Sequence, residues 1–175
     1  MSRNHLAVAP AGESSPGRVT VALAGNPNAG KTSLFNALTG ARQHVGNYPG
    51  VTVDKKEGEA RLDGQPVNIV DLPGTYSLTA YSLEEVVARN YVIGQRPGVV
   101  VDVVDASNLE RNLYLAVQLM ELGVPLVIGL NMMDVAEQRG MKIDTAKLSE
   151  LLGAPVVPTV ARGGQGVQEL LRAAV

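Results

Sequence analysis

The chain has 175 residues, of which 45 % are hydrophobic and 18 % are charged, and its formal net charge is −2. This balance is ordinary for one globular domain and lacks the basic excess of a nucleic-acid binder. The absence of cysteine excludes disulfides and thiolate metal sites, and two histidines are too few for a histidine-based zinc site. No apolar run approaches the roughly 20 residues that a membrane-spanning helix needs, so we expect a cytoplasmic domain.

The first part of the chain predicts a tail, a strand, a loop and a helix. Residues 1–17 are rich in Ala, Gly, Ser and Pro and are expected to form a disordered tail. Arg18–Ala24 is β-branched and apolar, which favours a buried strand. Apolar residues at helical spacing predict a helix over Lys31–Thr39 that ends at Gly40. Ala41–Val51 has no apolar period, so we expect an exposed, mobile segment there.

The rest of the chain predicts a hairpin followed by alternating helices and strands. Asp63-Gly64 is a hairpin turn signal between strands at Thr52–Leu62 and Pro66–Val70. The later elements are a helix at Ser82–Ile93, a strand at Val99–Val104, a helix at Leu109–Leu122, a strand at Leu126–Leu130, a helix at Asp144–Leu152, a strand at Val156–Pro158 and a helix at Val167–Ala174. This order predicts a three-layer α/β fold over residues 18–175, with a six-stranded, mostly parallel sheet and one antiparallel edge strand.

A phosphate-binding loop joins the first strand to the first helix. The segment from Gly25 to Thr32 matches G-x-x-x-x-G-K-[ST] in full and has the required strand before it and helix after it. Backbone N–H groups of such a loop surround phosphate oxygens, Lys31 contacts the β- and γ-phosphates, and the Thr32 hydroxyl binds Mg²⁺. The nucleotide-binding residues predicted here are Gly25, Asn26, Pro27, Asn28, Ala29, Gly30, Lys31, Thr32 and Ser33.

Two further segments have the pattern of nucleotide-sensing switches. Asp71-Leu-Pro-Gly74 follows a strand, where Asp71 can hold Mg²⁺ through a water and the Gly74 N–H can reach the γ-phosphate. Thr52 lies between the expected mobile segment and the next strand, and can close over Mg²⁺ when the γ-phosphate is present. We therefore expect Lys31, Thr52 and Gly74 to take part in catalysis.

A base-reading motif, Asn131-Met-Met-Asp134, follows a later strand. The Asp134 carboxylate suits the paired N1 and N2 donors of guanine, and adenine lacks that pair. Asn131 is expected to bond the base edge and to tether the phosphate loop, while Met132 packs on the base. The residues expected to read the base are Asn131, Met132, Asp134, Thr159, Val160 and Ala161, with the backbone N–H of either Val160 or Ala161 facing the guanine carbonyl.

With these motifs the chain resembles the FeoB family of ferrous-iron transporters, in their N-terminal GTPase domain. The resemblance covers residues 18–175 and is most specific at Gly25–Thr32, Asn47–Val53, Asp71–Leu78 and Asn131–Asp134. It implies a P-loop GTPase fold, binding of GTP or GDP with Mg²⁺, and GTP hydrolysis that regulates Fe²⁺ uptake at the cytoplasmic face of the bacterial inner membrane. The helical and transmembrane domains of similar proteins are expected to be absent from this chain, and the transmembrane domain is the expected partner.

Catalysis is expected to be slow. Many GTPases place a glutamine directly after the D-x-x-G motif, and here that position is Thr75. The resemblance also implies a candidate potassium site, made by Asn28 with the backbone carbonyls of Gly46 and Tyr48, which would give Asn28 a catalytic role by stabilising charge between the phosphates. The alternative is that Asn28 only hydrogen-bonds its own loop. Glu84 and Glu85 could act as bases, but favourable charge in a first helical turn is the preferred interpretation. The surface around the mobile segment leaves room for a homo-oligomer, a dimer or a trimer.

Two other functions fit part of the pattern. A ribosome-associated GTPase of the Era/EngA type has a similar phosphate loop, but such proteins usually carry a lysine in the base motif and a basic RNA-binding region. A nucleotide-dependent interaction module would bind GTP and barely hydrolyse it. The Era/EngA type also usually has a Thr-Thr switch, which this chain lacks, and single-turnover hydrolysis would separate a working GTPase from an interaction module.

Overall fold

The computed structural model describes residues 17–175, and the expected tail, residues 1–17, lies outside them except for Gly17. In the described range seven strands form one sheet: β1 (Thr20–Gly25), β2 (Gln43–Asn47), β3 (Asp54–Leu62), β4 (Gln65–Asp71), β5 (Val99–Asp105), β6 (Leu126–Asn131) and β7 (Val156–Pro158). The α-helices of the same range are α1 (Lys31–Thr39), α2 (Leu83–Gln95), α3 (Leu109–Glu121), α4 (Met133–Gln138), α5 (Thr145–Leu152) and α6 (Val167–Ala174).

The sheet has the order β2-β3-β4-β1-β5-β6-β7. β1 pairs in parallel with both β4 and β5, and β5, β6 and β7 continue the parallel part. β3 is antiparallel to both of its neighbours. The expected α/β fold class is confirmed. The expected number of six strands is wrong, and the antiparallel strand β3, expected at the edge, lies one place inside it. The structure places a seventh strand, β2, outside β3.

The extra strand lies in the segment Ala41–Val51, for which the sequence predicts an irregular, mobile conformation. All five residues of β2 are exposed, and the strand pairs with Asp54–Gly58 through the backbone. Because no side chain of β2 faces a core, the strand has no alternation of apolar and polar residues. The sequence therefore carries no hydrophobic signal for it.

The hairpin between β3 and β4 has the predicted turn. Asp63 and Gly64 both have positive φ, 49° and 81°, as a two-residue type I′ turn requires. The register pairs Leu62 with Gln65 and continues to Lys56 opposite Asp71. The turn chemistry thus fixes which residues of β3 lie beside the end of β4.

Helices cover both faces of the sheet, which gives the three layers. On one face α1 and α6 bury Leu34, Phe35, Leu170 and Leu171 against the inner strands. On the other face α2 and α3 pack over β1 and β5, and α4 and α5 contribute to an adjoining cluster. Fully burying a Leu or Phe side chain contributes about 1.5–3 kcal/mol, so these two apolar layers dominate the stability of the sheet.

The helix bounds follow local signals. α1, α6 and the strand β7 have the bounds that the sequence predicts, and Asp144 caps α5 by accepting from the Lys147 N–H, as expected. The six-residue helix α4 was not predicted, because it is too short to show a helical period. Within residues 17–175 no helix has both the length and the apolar character needed to cross a bilayer.

Candidate functional site

The predicted motifs meet at one edge of the sheet. β1 lies between β4 and β5, where the direction of strand addition reverses. β1 ends at Gly25, β4 at Asp71 and β6 at Asn131. In open α/β sheets, ligands bind beyond the carboxyl ends of the strands at such a reversal. The fold therefore brings the three motifs to the place where a ligand is expected.

The phosphate loop begins with a tight turn. The Ala29 N–H donates to the Asn26 carbonyl at 3.2 Å, Pro27 is the second residue of the turn, and Asn28, the third, has φ 64°. Proline followed by a positive-φ residue is the pattern of a type II turn. This turn directs the loop around to the start of α1.

Two glycines of the loop have no room for a side chain. A Cβ at Gly25 would lie 2.8 Å from the Val103 carbonyl, and a Cβ at Gly30 would overlap the side-chain amide of Asn131. Both glycines also have φ in a range that favours glycine. The close approach at Gly30 is what allows the β6 motif to touch the phosphate loop.

Lys31 and Asp71 form a nearly buried ion pair. The Lys31 Nζ lies 2.6 Å from the Asp71 Oδ1, and the two side chains are 10 % and 11 % exposed. The backbone around Asp71 is fixed to β1, since the Leu72 N–H donates to Leu23 and the Thr75 N–H donates to Gly25. The predicted phosphate-binding lysine and the predicted magnesium-binding aspartate are therefore in direct contact.

Two adjoining clefts surround this ion pair. One has a volume of about 420 Å³ and the other about 500 Å³. Lys31 and Gly74 line both clefts, Thr52 and Asp71 line the smaller one, and Thr32 lines the larger one. The hydroxyl and carboxylate oxygens of Thr32, Thr52 and Asp71 are the hard donors that Mg²⁺ prefers. The residues predicted to act on phosphate are thus grouped around Lys31.

Asn131 joins three parts of the site. Its Nδ2 donates to the Ala29 carbonyl at 3.0 Å, in the phosphate loop. Its Oδ1 accepts from the Thr159 hydroxyl at 3.1 Å and from the Ala161 N–H at 2.9 Å. Asn131 and Thr159 are both buried. One side-chain amide therefore holds the phosphate loop and the Thr159–Ala161 segment in a fixed relation.

The other predicted base-reading residues surround this amide. Met132 has φ 60° and lines the larger cleft, and Asp134 is exposed in the first turn of α4. The N–H of Val160 donates to the Gln165 carbonyl at 3.0 Å, and that of Ala161 donates to Asn131. Both candidate amides therefore already have protein acceptors, so either one would have to exchange a hydrogen bond to meet a guanine carbonyl.

The three candidate potassium ligands belong to two segments, with Asn28 in the phosphate loop and Gly46 and Tyr48 in and after β2. Asn28 lines the larger cleft, whereas neither Gly46 nor Tyr48 lines either cleft. Gly46 pairs with Lys55 within the β2–β3 ladder, and the Tyr48 carbonyl accepts from the Val51 N–H at 3.3 Å. The Tyr48 carbonyl would have to exchange this hydrogen bond to bind potassium, and the potassium site stays a prediction.

A family model described as ferrous iron transport protein B matches residues 19–174 of the chain. The chain belongs to the ferrous iron transport protein B family. It is 53 % identical to the Fe(2+) transporter FeoB of Salmonella typhimurium over 157 residues, which are 87 % of this chain and 20 % of that relative. The chain therefore spans about a fifth of the length of the curated FeoB relatives that it matches. The resemblance inferred from the motifs is confirmed.

Solved FeoB structures match the fold as well. A mutant of S. thermophilus NFeoB bound to GDP has a TM-score of 0.85 and 52 % identity, over 89 % of this chain and 61 % of that one. The cytosolic domain of the T. maritima FeoB iron transporter in its GMPPNP form has a TM-score of 0.87 and 47 % identity, over 89 % of this chain and 62 % of that one. The FeoB G-domain from Methanococcus jannaschii matches with a TM-score of 0.80 and 49 % identity, over 89 % of this chain and 94 % of that one, so the chain corresponds to the G-domain part of FeoB.

The FeoB fold contains a loop anchor that sequence reasoning missed. The Glu85 carboxylate accepts from the Ser77 hydroxyl at 3.2 Å, the Thr79 hydroxyl at 3.1 Å and the Tyr81 N–H at 2.9 Å. The Tyr81 N–H bond is the largest cause that lowers the pKa of Glu85. Ser82 caps α2 by accepting from the Glu85 N–H. The sequence does contain a signal for this arrangement, because Ser82 and Glu85 have the S-x-x-E spacing of a capping box.

Helix α3 holds the same loop from its other side. The Leu78 N–H donates to the Gln118 Oε1 at 2.6 Å, and the Arg111 guanidinium lies 4.4 Å from the centre of the Tyr76 ring. The loop after Gly74 is therefore fixed to both α2 and α3. Such contacts are set by tertiary packing and have no local sequence pattern.

Tyr48 connects the segment that leads to Thr52 with the Asp71–Gly74 segment. Its buried hydroxyl donates to the Asp71 carbonyl at 2.9 Å, and its ring meets Tyr91 of α2 edge to face with centres 6.1 Å apart. Burial is the main cause that raises the pKa of Tyr48, so the hydroxyl stays protonated and remains a donor. Sequence reasoning considered only the carbonyl of this residue and missed its side chain.

Proposed function

We propose that this chain is a GTP-binding and GTP-hydrolysing switch domain that regulates the passage of ferrous iron through the membrane part of a FeoB transporter. The observation that carries the proposal is the three-way hydrogen bonding of Asn131, which ties the phosphate loop to the segment expected to read the base. The GDP-bound and GMPPNP-form FeoB relatives support it.

The phosphate loop would bind the nucleotide's phosphates. The backbone N–H groups at the start of α1 and those of the loop supply partial positive charge, apart from Pro27, which has no N–H, and Ala29, whose N–H donates to Asn26. Lys31 adds a full charge, and it has to leave Asp71 or share it when phosphate enters. An ammonium that is already desolvated loses little hydration on this exchange, which favours a tight phosphate contact.

Magnesium, when bound, would neutralise charge on the β- and γ-phosphates. Thr32 and Thr52 would hold it through their hydroxyls, and Asp71 would hold it through a water. Thr52 is exposed and lines the smaller cleft, while its neighbours Val51 and Val53 pack against the apolar cluster on the α2–α3 side of the sheet. A movement of Thr52 towards the γ-phosphate would therefore be felt by that cluster.

Guanine would be selected by Asp134, with Met132 packed on the base. The carboxylate would accept hydrogen bonds from two N–H groups of guanine. Against adenine it would have no such donors, so the site would strongly disfavour binding of adenine. Because Met132 carries no charge in a position where many GTPases have lysine, we expect modest affinity and quick release of GDP.

Hydrolysis would be slow in the isolated domain. Thr75 stands where many GTPases carry a water-orienting glutamine, and it is 5 % exposed. The rate would then depend on Lys31, on the Gly74 N–H and on Thr52, which position and stabilise charge without a dedicated base. Potassium, when bound, would be held by Asn28 and the backbone carbonyls of Gly46 and Tyr48, and would stabilise charge between the β- and γ-phosphates.

The output of the switch would pass to the transmembrane domain of the same transporter at the cytoplasmic face of the membrane. The loop after Gly74 contacts α2 through Glu85 and α3 through Gln118. A change at the γ-phosphate would therefore be passed to α2, whose first residues Leu83 and Glu84 line the smaller cleft, and to α3. A homo-oligomer, a dimer or a trimer, remains compatible with this arrangement.

The experiment compares binding of GTP, XTP and ATP to wild type and to Asp134→Asn. Replacing the acceptor by a donor should weaken GTP by about 10- to 150-fold, the equivalent of one charge-assisted hydrogen bond, and should favour XTP. Asp144→Asn is the matched control, because asparagine caps α5 as well as aspartate does. Wild type that bound ATP as tightly as GTP would remove the base-reading assignment.

A further inference from the structure

A second lysine lies beside the carboxylate that Lys31 contacts. Lys56 of β3 is the register partner of Asp71 in the antiparallel pair β3–β4. The side chains of directly opposed residues share one face of the sheet, with Cβ atoms about 4.5–5.5 Å apart, a gap that a lysine side chain can cover. Lys56 also lines the smaller cleft, together with Lys31 and Asp71. The sheet therefore brings two lysines within reach of one aspartate.

The two lysines differ in their present partners. The Lys31 Nζ lies 2.6 Å from the Asp71 Oδ1. Across residues 17–175, no carboxylate oxygen lies within 4.0 Å of the Nζ of Lys56, which is half-buried. An ionised carboxylate has two oxygens and can accept from more than one donor. Asp71 can therefore accept from Lys56 as well as from Lys31, or from Lys56 in its place.

Two other carboxylates line the same cleft, those of Asp54 and Glu84. Both residues are exposed, and an exposed ion pair contributes little because water and salt screen it. The Asp71 side chain is 11 % exposed, and leaving a charge unpaired at such a position is costly. Of the carboxylates in the cleft, Asp71 is therefore the one that gains most from a pair with Lys56.

Building on the proposed nucleotide binding, we propose that Lys56 is a positioning residue that pairs with Asp71 when Lys31 leaves it for phosphate. Without a second cation, this exchange would leave a nearly buried carboxylate without a charged partner. Lys56 needs only a change of side-chain rotamer to take that place, because β3 and β4 already hold the two residues opposite each other. The pair lowers the free-energy cost of moving Lys31 to the phosphate, and so it strengthens nucleotide binding.

The test measures the affinity of a fluorescent GDP analogue for wild type, Lys56→Gln and Lys55→Gln, in EDTA so that no metal supplies charge to Asp71. Lys55 is the matched control, because it is the preceding residue of β3, points to the opposite face and pairs with Glu57 at 2.7 Å. Affinity should fall about 5- to 20-fold in Lys56→Gln, between the values for an exposed and a desolvated charged pair, and less than about twofold in Lys55→Gln.

The control separates a local effect of Lys56 from a change in net charge, since both substitutions remove one positive charge. An equal loss of affinity in the two variants would overturn the inference. Wild type that failed to bind the GDP analogue at all would instead count against the proposed function.

A double-mutant cycle separates support of Asp71 from direct contact between Lys56 and phosphate. In an Asp71→Asn background, Lys56→Gln should change the affinity for the GDP analogue by less than about twofold, because the carboxylate on which Lys56 acts is gone. A loss as large as in the wild-type background would contradict the inference. Lys56→Arg keeps the charge and should bind within about threefold of wild type.

Denaturant unfolding without nucleotide excludes a merely structural role. Because Lys56 makes no ion pair in this conformation of residues 17–175, Lys56→Gln should unfold at the same urea concentration as wild type. A clearly lower midpoint for Lys56→Gln would show that the residue supports the fold itself, and would contradict the role proposed for it.

Discussion

The side-chain nitrogen of Lys31 lies 2.6 Å from a carboxylate oxygen of Asp71, and both side chains are about nine-tenths buried. The two residues are forty positions apart in the chain, on α1 and at the end of β4. In the proposed function the lysine contacts phosphate and the aspartate holds magnesium through a water. Phosphate and Mg²⁺ therefore compete with this ion pair, which couples the two binding events.

The first prediction concerns magnesium. In Asp71→Asn the side chain no longer offers a charge to a magnesium-bound water. The gain in affinity for a non-hydrolysable GTP analogue on adding Mg²⁺ should therefore be about 10- to 150-fold smaller in Asp71→Asn than in wild type. The measurement is analogue affinity with Mg²⁺ and with EDTA. Asp54→Asn, an exposed aspartate that lines the same cleft, is the matched control. Equal loss of the magnesium effect in both variants would contradict the assignment.

The second prediction concerns the γ-phosphate sensor. Thr52→Ala should leave GDP affinity within about twofold of wild type, because the hydroxyl would contact Mg²⁺ only in the triphosphate state. Single-turnover GTP hydrolysis should slow by at least about tenfold, the cost of one charge-assisted contact. Thr145→Ala, at the start of α5, serves as the control. An unchanged hydrolysis rate in Thr52→Ala would exclude this threonine from the mechanism.

The third prediction concerns the link between the switches. Tyr48→Phe keeps the ring against Tyr91 but removes the hydroxyl that donates to the Asp71 carbonyl. The free energy of unfolding should fall by about 1 kcal/mol, the usual net value of one hydrogen bond. Denaturant unfolding of Tyr48→Phe and of Tyr91→Phe provides the comparison. If Tyr48→Phe is as stable as wild type, the hydroxyl of Tyr48 does not hold the two segments together.

The fourth prediction is a pH dependence of stability. The carboxyl of Asp102 has a pKa of about 7 in the folded domain, against 3.8 for an ordinary aspartate. The folded state therefore keeps a proton that the unfolded chain has already lost, so the contribution to stability is present at low pH and disappears as pH rises through 7. Between pH 5 and pH 8 this loss amounts to about 3 kcal/mol.

Urea unfolding at both pH values checks it. Asp102→Asn has no such proton and should lose about 3 kcal/mol less than wild type over that interval. Asp144→Asn should follow wild type, because its carboxylate is exposed. A parallel fall of stability in all three proteins would show that Asp102 titrates normally.

Much of the fold could be predicted because its signals are local. The strand β1, the glycine-rich loop and α1 each have their own composition, and α1 has the predicted bounds, Lys31–Thr39. The turn at Asp63-Gly64 needs two positive φ values, which few residue pairs supply. In contrast, β2 has five exposed residues and is held by backbone pairing, so no side-chain pattern marks it.

The site was only partly predictable, because its motifs are local in sequence but many of its contacts are not. The motifs name residues whose chemistry suits phosphate and guanine, and the strand ends bring them together. Contacts such as Tyr48 to the Asp71 carbonyl join residues 23 positions apart and depend on how elements pack. Asp102 interrupts an otherwise apolar strand, Val99–Asp105, and only the structure shows that its carboxyl is buried without a charged partner.

The central claim is that this domain hydrolyses GTP with a phosphate loop centred on Lys31 and a base site centred on Asn131. Phosphate release from GTP and from ATP, measured with Mg²⁺ under single-turnover conditions, tests it most directly. The account predicts slow but complete release from GTP, none above background from ATP, and loss of release from GTP in Lys31→Ala. Equal release from both nucleotides, or GTP that stays bound and intact, would contradict it.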